Sequence, residues 1–271
     1  MLRVLAIGDV VGRAGRNVIS SILPRVKETH NPDIVICNGE NAAGGFGLTK
    51  KIYTEITEKF QIDAITMGNH WHDKPEIFSF IDSKPNLVVP GNMSNVDELA
   101  DGLSILRTKT GLRYAIINLI GVAFMKPGNS CPFIAADEIL KKIPDSVKVR
   151  ILDFHAEATS EKQALANYLA RRVSLFYGTH THTPTADERI IDGYTGFATD
   201  LGMSGAYDSV IGIRKEASIA RFLNKKASKF EPAKNDPWFC GVVADIDPAD
   251  GRCISIERIR LKLNDSKLSD S

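Results

Sequence analysis

The sequence predicts an α/β fold with a largely parallel core, and three observations predict it. Seven short β-branched runs recur, segments of helical spacing lie between several of them, and the texture changes after residue 185. The runs are "RVLAI" (3–7), "DIVIC" (33–37), "DAIT" (63–66), "NLVV" (86–89), "YAIINL" (114–119), "VRILDF" (149–154) and "VSLFYG" (173–178). Each is short, apolar and β-branched enough to be a buried strand. Helical spacing follows the first run over 16–29, where Pro24 predicts a kink. It returns over 49–60 and 75–82, and again over 160–171, where Ser160 and Gln163 have capping-box spacing. Beyond residue 185, "RIIDG", "TGFATD", "FCGVVADID" and "CISIERIRL" read as hairpin-like antiparallel strands completing a second sheet. No internal repeat, low-complexity region or linker interrupts the chain. The expectation is one domain over 1–264 and a polar, frayed tail over 265–271, within "NDSKLSDS".

Composition narrows the function class. The 271 residues carry 34 Lys+Arg against 33 Asp+Glu, a formal net charge of +1, so no clustered positive charge announces a duplex nucleic acid or an anionic membrane as partner. Hydrophobic residues at 43% are ordinary for a soluble globular protein. Cys37, Cys131, Cys240 and Cys253 are scattered without a CxxC and read as reduced thiols rather than a disulfide framework. The opening "MLRVLAIGDVVG" is too short an apolar run for a signal peptide and is interrupted by Asp9; no run approaches the roughly 20 apolar residues of a membrane span. The expectation is a cytoplasmic protein.

The chemistry gathers just past the strand ends. Asp9 follows the first run, Glu40 and Asn41 the second, Asn69 and His70 the third; His155 follows "VRILDF", and His180 and His182 follow "VSLFYG". In open α/β sheets such loops converge on one crevice. Taken singly, Asp9 is a helix cap, Asn41 and Asn69 are turn formers, His155 is a half-buried histidine, and the two-apart histidines are a polar turn. Taken together at five strand ends, they describe a metal site, because a cation offsets the cost of burying so many imidazoles and carboxylates side by side. The number of donors asks for two ions, about 3.5–4 Å apart with a bridging carboxylate. Oxygen and nitrogen ligands without thiolate suit Fe, Mn or Zn better than Ca or Mg.

These residues resemble the calcineurin-like metallophosphoesterases, whose signature is spread over strand ends. It reads here as G-D (8–9), G-E-N (39–41), G-N-H (68–70), the lone His155 and G-T-H-T-H (178–182). Two departures mark a subgroup: "GDVVG" lacks the usual histidine two residues after the aspartate, and Glu40 stands where most members carry Asp. With "GENAAGGFGLT", "DFHAEATSEK" and "TDLGMSGAYDSVIG", they make the chain similar to the bacterial 2′,3′-cyclic-nucleotide 2′-phosphodiesterases, the YmdB-like subgroup, from residue 1 to about 262. Where that subgroup has Thr-Trp-Asp after G-N-H, this chain has Trp71-His72-Asp73, which sets an extra imidazole beside the expected acid.

The resemblance implies a four-layer α-β-β-α sandwich, two mixed sheets flanked by helices. It implies a first metal held by Asp9, Glu40, Asn41 and His182, a second held by Glu40, Asn69, His155 and His180, and Glu40 bridging. Iron is the expected metal, with Mn or Zn as alternatives. His70 is the expected general acid. The substrate is then a small phosphodiester or an RNA-derived cyclic phosphate, hydrolysed to a 3′-phosphate by a metal-activated hydroxide. The alternatives are a phosphomonoesterase or protein phosphatase on the same metals, and a metal-dependent regulatory protein that does not catalyse. A homo-oligomer is compatible with the sequence. Gly44, Gly45 and Gly47 read either as an anion nest or as a flexible turn, residues 202–212 as a pocket rim or subunit contact, and Tyr207 as a base-stacking or a packing residue.

Overall fold

A computed structural model describes residues 1–93, 101–224 and 231–263. The expected tail lies outside the described residues. In chain order the elements are β1 (Leu2–Val10), α1 (Gly12–His30), β2 (Ile34–Asn38), α2 (Lys50–Thr54), β3 (Ala64–Thr66), β4 (Leu87–Val88), β5 (Leu103–Arg107) and β6 (Arg113–Ile120). Then come α3 (Pro132–Lys142), β7 (Val149–His155), α4 (Thr159–Tyr168), β8 (Leu175–Thr179), β9 (Arg189–Ile191) and β10 (Thr195–Ala198). β11 (Met203–Ala206), α5 (Lys215–Phe222), β12 (Pro237–Ile246) and β13 (Cys253–Lys262) complete the order.

Two mixed sheets result. One has seven strands in the order β13-β12-β11-β1-β2-β3-β4, and the other has six in the order β5-β6-β7-β8-β10-β9. β1 to β4 run parallel, as do β6, β7, β8 and β10. Helices cover the outer face of each sheet. Val18, Ile19, Ile22, Leu23 and Val26 form one stripe of α1 and pack with Leu5 and Ile7 of β1. Ile139, Leu140 and Leu165 of α3 and α4 pack with Leu152, Phe154 and Phe176. Between the sheets, Val4, Ala6, Ile34, Ile36, Ile116, Ile151, Leu175 and Tyr177 make the middle layer. The layers are therefore helix, sheet, sheet, helix.

The late hairpin departs from expectation. β12 pairs antiparallel with β1 from Leu2↔Ile246 to Ile7↔Gly241, and β13 pairs with β12, so both complete the first sheet; β9 and β10 go to the second. Other differences are local. α1 begins at Gly12 and runs through Pro24, whose exposed position lets the unpaired carbonyl one turn back face water. The 49–60 helix is one α turn passing into a π turn at Glu55–Lys59, and 75–82 is two short 3-10 pieces, stopped before Pro85. α4 starts at Thr159 with no side-chain cap, so Ser160 and Gln163 lie inside it and form no capping box.

Along the middle layer, chemistry replaces hydrocarbon. Alternate residues of a strand share a face, so β7 presents Val149, Ile151, Asp153 and His155 in succession to the other sheet. In the same way β2 ends with Asn38, β3 with Thr66, β6 reaches Asn118 and β8 ends with Thr179. β1 needs a device to join them, because Asp9 falls on the α1 side by strict alternation with Leu5 and Ile7. The β1–β2 register shifts between Ile7 and Asp9, and this irregularity re-aims Asp9 inward. Among the described residues, no helix is long and apolar enough to cross a membrane.

Candidate metal centre

The ends of β1, β2 and β3 from one sheet and of β7 and β8 from the other meet over this polar end of the middle layer. Asp9 lies inside the last residues of β1, wholly buried, its backbone N–H donating to the Gly202 carbonyl. After β2, the Asn38 side chain accepts from the Glu40 N–H at 3.1 Å and turns the chain. The Asn41 amide NH2 donates to the Gly45 carbonyl at 3.0 Å, which leaves its Oδ1 facing His182. After β3 comes Gly68, where a Cβ would lie 2.4 Å from His155 Nε2 and 2.5 Å from a Glu40 oxygen, so only glycine lets the G-N-H turn close over these groups.

The histidine pair is held in a strained turn rather than an extended segment. His180 (φ 98°) and His182 (φ 63°) both have left-handed backbone, unusual for a non-glycine residue. A buried ion pair over-determines this shape. Lys162 Nζ lies 2.6 Å from Asp200 and donates to the Thr179 carbonyl, while Asp200 accepts from the Thr181 and Gly202 N–H groups. The carbonyl of Ile211 (φ 46°) accepts from His182 Nδ1 at 2.8 Å, so the 202–212 loop forms part of the rim.

Among the described residues, one group, Glu40, His155 and His180, is compact enough to hold a metal ion. His155 Nε2 has His180 Nδ1 at 3.0 Å, Asn69 Oδ1 at 3.0 Å and Glu40 Oε1 at 3.2 Å. Three acceptors thus converge on a single ring nitrogen, which can offer them one proton. A cation satisfies all of them. The other expected ligands pair nearby. His182 Nε2 lies 3.2 Å from Asn41 Oδ1 and 3.9 Å from Asp9 Oδ1, and that buried Asp9 oxygen has no hydrogen-bond partner. Burial and the acidic surroundings set the charges. Burial holds Asp9 above the usual carboxylate range. Burial also disfavours the Glu40 charge, yet His155 and the His70 N–H pull its pKa down to about 2. Burial opposes the His155 charge, but Glu40 and Asp9 raise it to about 9; burial and the neighbouring His155 lower His180 to about 3.

His70 stands apart from that convergence. Its backbone N–H donates to Glu40 at 2.9 Å, its Nδ1 lies 2.7 Å from Asp73, and Phe46 meets its ring edge-on at 5.0 Å. Its ring lines a cavity of about 570 Å³ together with His180, His182, Phe46 and Glu157. Val11, two residues after Asp9, also lines it. The other residues singled out in the sequence behave differently. His72 is exposed and packs on Trp71. Tyr207 packs against Trp238 and bonds the Met203 carbonyl, outside the cavity lining. The Gly45 amide is engaged by the Asn41 carbonyl, so it contributes to a turn rather than to an anion nest. Sequence reasoning missed Asp73, Thr179, Asp153, Glu157 and the Lys162–Asp200 pair. Of these, His70-x-x-Asp73 and the alternation in "VRILDFH" carried a readable signal.

A family model described as a YmdB-like protein matches residues 5–259. The 2′,3′-cyclic-nucleotide 2′-phosphodiesterase of Bacillus subtilis (strain 168) is 45% identical over 259 residues, covering 95% of this chain and 96% of its own. A putative phosphatase/phosphodiesterase of Mycoplasma genitalium is 34% identical and covers 98% of this chain and 95% of its own. Two solved structures, each 34% identical, superpose over 96% of the chain: a novel phosphatase of Mycoplasma pneumoniae at a TM-score of 0.90, over 93% of that chain, and a hypothetical protein of Thermus thermophilus at 0.88, over 99%.

Proposed function

The chain belongs to the YmdB-like protein family and is an enzyme of phosphoester hydrolysis, and from that premise we propose that it is a dinuclear-metal phosphodiesterase acting on 2′,3′-cyclic nucleotides. The observation that carries this reading is the convergence of Glu40, Asn69 and His180 on His155 Nε2, beside an unpartnered Asp9 oxygen. Asp9, Glu40, Asn41 and His182 would hold one ion and Glu40, Asn69, His155 and His180 the other, within a single domain over 1–264. Oxygen and nitrogen donors of this mix suit iron, the first choice, or manganese or zinc. Such ions supply Lewis acidity toward phosphoryl oxygens and hydroxide near neutral pH.

The chain's own groups do the rest. Thr179 accepts from His155 Nδ1–H and so directs Nε2 into the site. Asp73 takes up the Nδ1 side of His70, leaving Nε2 to face the cavity and donate a proton to the departing ribose 2′ oxygen. Release of that oxygen leaves a 3′-phosphate. The test is metal analysis of anaerobically purified protein, paired with chromatography of the products from 2′,3′- and 3′,5′-cyclic nucleotides. The reading expects metal near two ions per chain and a 3′-phosphate from the 2′,3′ ring. A mainly 2′-phosphate product, or no hydrolysis of that ring by metal-loaded protein, refutes it.

A further inference from the structure

Glu157 lies in the turn between β7 and α4, two residues beyond His155. Its Oε2 is 3.1 Å from His180 Nε2, and its side chain is 50% exposed in the cavity wall. The His180 ring explains the contact. Its Nδ1 faces His155 Nε2 at 3.0 Å and its Nε2 faces Glu157, so Nδ1 is the nitrogen available to a cation and Nε2 carries the proton. A ligating imidazole donates its other N–H to an acceptor, and Glu157 is that acceptor. The pairing has a second result. A ligating histidine is neutral, so it fixes the carboxylate in place without cancelling its charge. The negative charge then stands in the wall of the same cavity that holds His70 and His182. Among the described lining residues, Arg221 is the one guanidinium, carried on α5.

We infer that Glu157 is a specificity-determining residue, an electrostatic filter that admits singly charged phosphodiesters and turns away doubly charged phosphomonoesters and inorganic phosphate. This rests on the proposal that the site hydrolyses diesters. A diester carries one negative charge at neutral pH, whereas a monoester, with its second pKa near 6, carries nearly two. A carboxylate held in the cavity wall repels a doubly charged ligand more than a singly charged one, and discrimination of this kind is commonly built from such a repulsive element. The same charge speeds departure of the product, itself a monoester, so the filter also limits product inhibition.

Glu157→Gln separates charge from shape, because the amide oxygen still accepts from His180 Nε2–H. The probes are inorganic phosphate, measured by calorimetry and as a competitive inhibitor, and the 4-nitrophenyl phosphate monoester against the bis(4-nitrophenyl) diester, with metal content read on the same samples. The expectation is a phosphate Kd and Ki lower by about tenfold and a monoester-to-diester kcat/KM ratio higher by about tenfold, both differences shrinking as salt rises. An unchanged phosphate Kd and an unchanged ratio overturn the proposal. If the variant binds metal more weakly, the comparison is made at saturating metal, and phosphate binding no tighter than wild type overturns it there as well. Phosphate binding does not depend on which ester is hydrolysed. A wild type inactive on diesters therefore refutes the catalytic reading, while the Kd comparison still decides the filter.

Discussion

Thr179 Oγ1 lies 2.9 Å from His155 Nδ1, and the same hydroxyl donates its own proton to Asp153 at 2.7 Å. The hydroxyl can only be an acceptor toward His155, so the imidazole must carry its proton on Nδ1 and present Nε2 to the site. Asp153, wholly buried, is anchored in turn by Thr66 and Asn38.

Thr179→Val keeps the volume and removes the acceptor. Metal affinity is expected to fall about 10–100-fold, and stability by about 1–3 kcal/mol for the buried groups left unpaired. Calorimetric metal titration of the folded variant checks this; wild-type affinity would show that His155 needs no such anchor.

His70→Ala separates a proton donor from a ligand. Loss of a general acid is expected to cost on the order of 10²–10⁴-fold on a cyclic nucleotide, whose ribose oxygen leaves as a poor alkoxide. A nitrophenyl ester, whose phenolate leaves unaided, should be largely spared, with metal content retained. His72 is exposed beside it, so His70→Ala is compared with the double variant carrying His72→Ala. Equal losses on both substrates in fully metallated protein would exclude the donor role.

Glu40→Gln and His182→Ala test the bridge. Glu40 lies within reach of His155, and its second oxygen holds the His70 N–H. Glu40→Gln is expected to deplete both ions, His182→Ala chiefly one. Elemental analysis finding full occupancy in Glu40→Gln would remove Glu40 from the bridging position.

Metal uptake should release protons. In the metal-free chain, burial raises Asp9, while Glu40 and Asp9 raise His155 to about 9 against the opposing effect of burial. Both pKa values are raised, so these groups hold protons at neutral pH that an incoming cation must displace. Affinity is therefore expected to rise with pH until about 9. Calorimetry in two buffers of different ionisation enthalpy reads the released protons; identical heats would contradict the prediction.

The expected site residues were legible because each is a polar residue where an apolar run stops. Asp9, Glu40, Asn69, His155 and His180 lie together, each in contact with at least one other member. What stayed hidden depends on partners distant in sequence. Lys162 looks like an ordinary helix-surface lysine, and its role exists only because Asp200 comes beneath it, 38 residues on. Sheet membership hid for the same reason: nothing local in "FCGVVADID" says that it pairs with the first strand of the chain. The positive φ of His180 and His182 was equally out of reach, since the tertiary clamp imposes it against the residues' own preference.

The gradient along β7, from Val149 and Ile151 to Asp153 and His155, has a consequence for how the molecule comes apart. At one end the sheets are joined by hydrocarbon; at the other, by hydrogen bonds among Asn38, Thr66, Asp153 and Thr179 and by the groups gathered around His155. On the proposed reading, chelation would put protons on His155 and Asp9 in place of the cations, which tie the two sheets together less firmly there. Amide hydrogen exchange should then quicken at the carboxyl ends of β7 and β8 and in the turns after β2 and β3. The Val4–Ile36 side of the layer should keep its protection, as a cooperative unit of higher local stability. The two sheets would thus part like a hinge from the chemical edge inward, and uniform acceleration along β7 would speak against such directional opening.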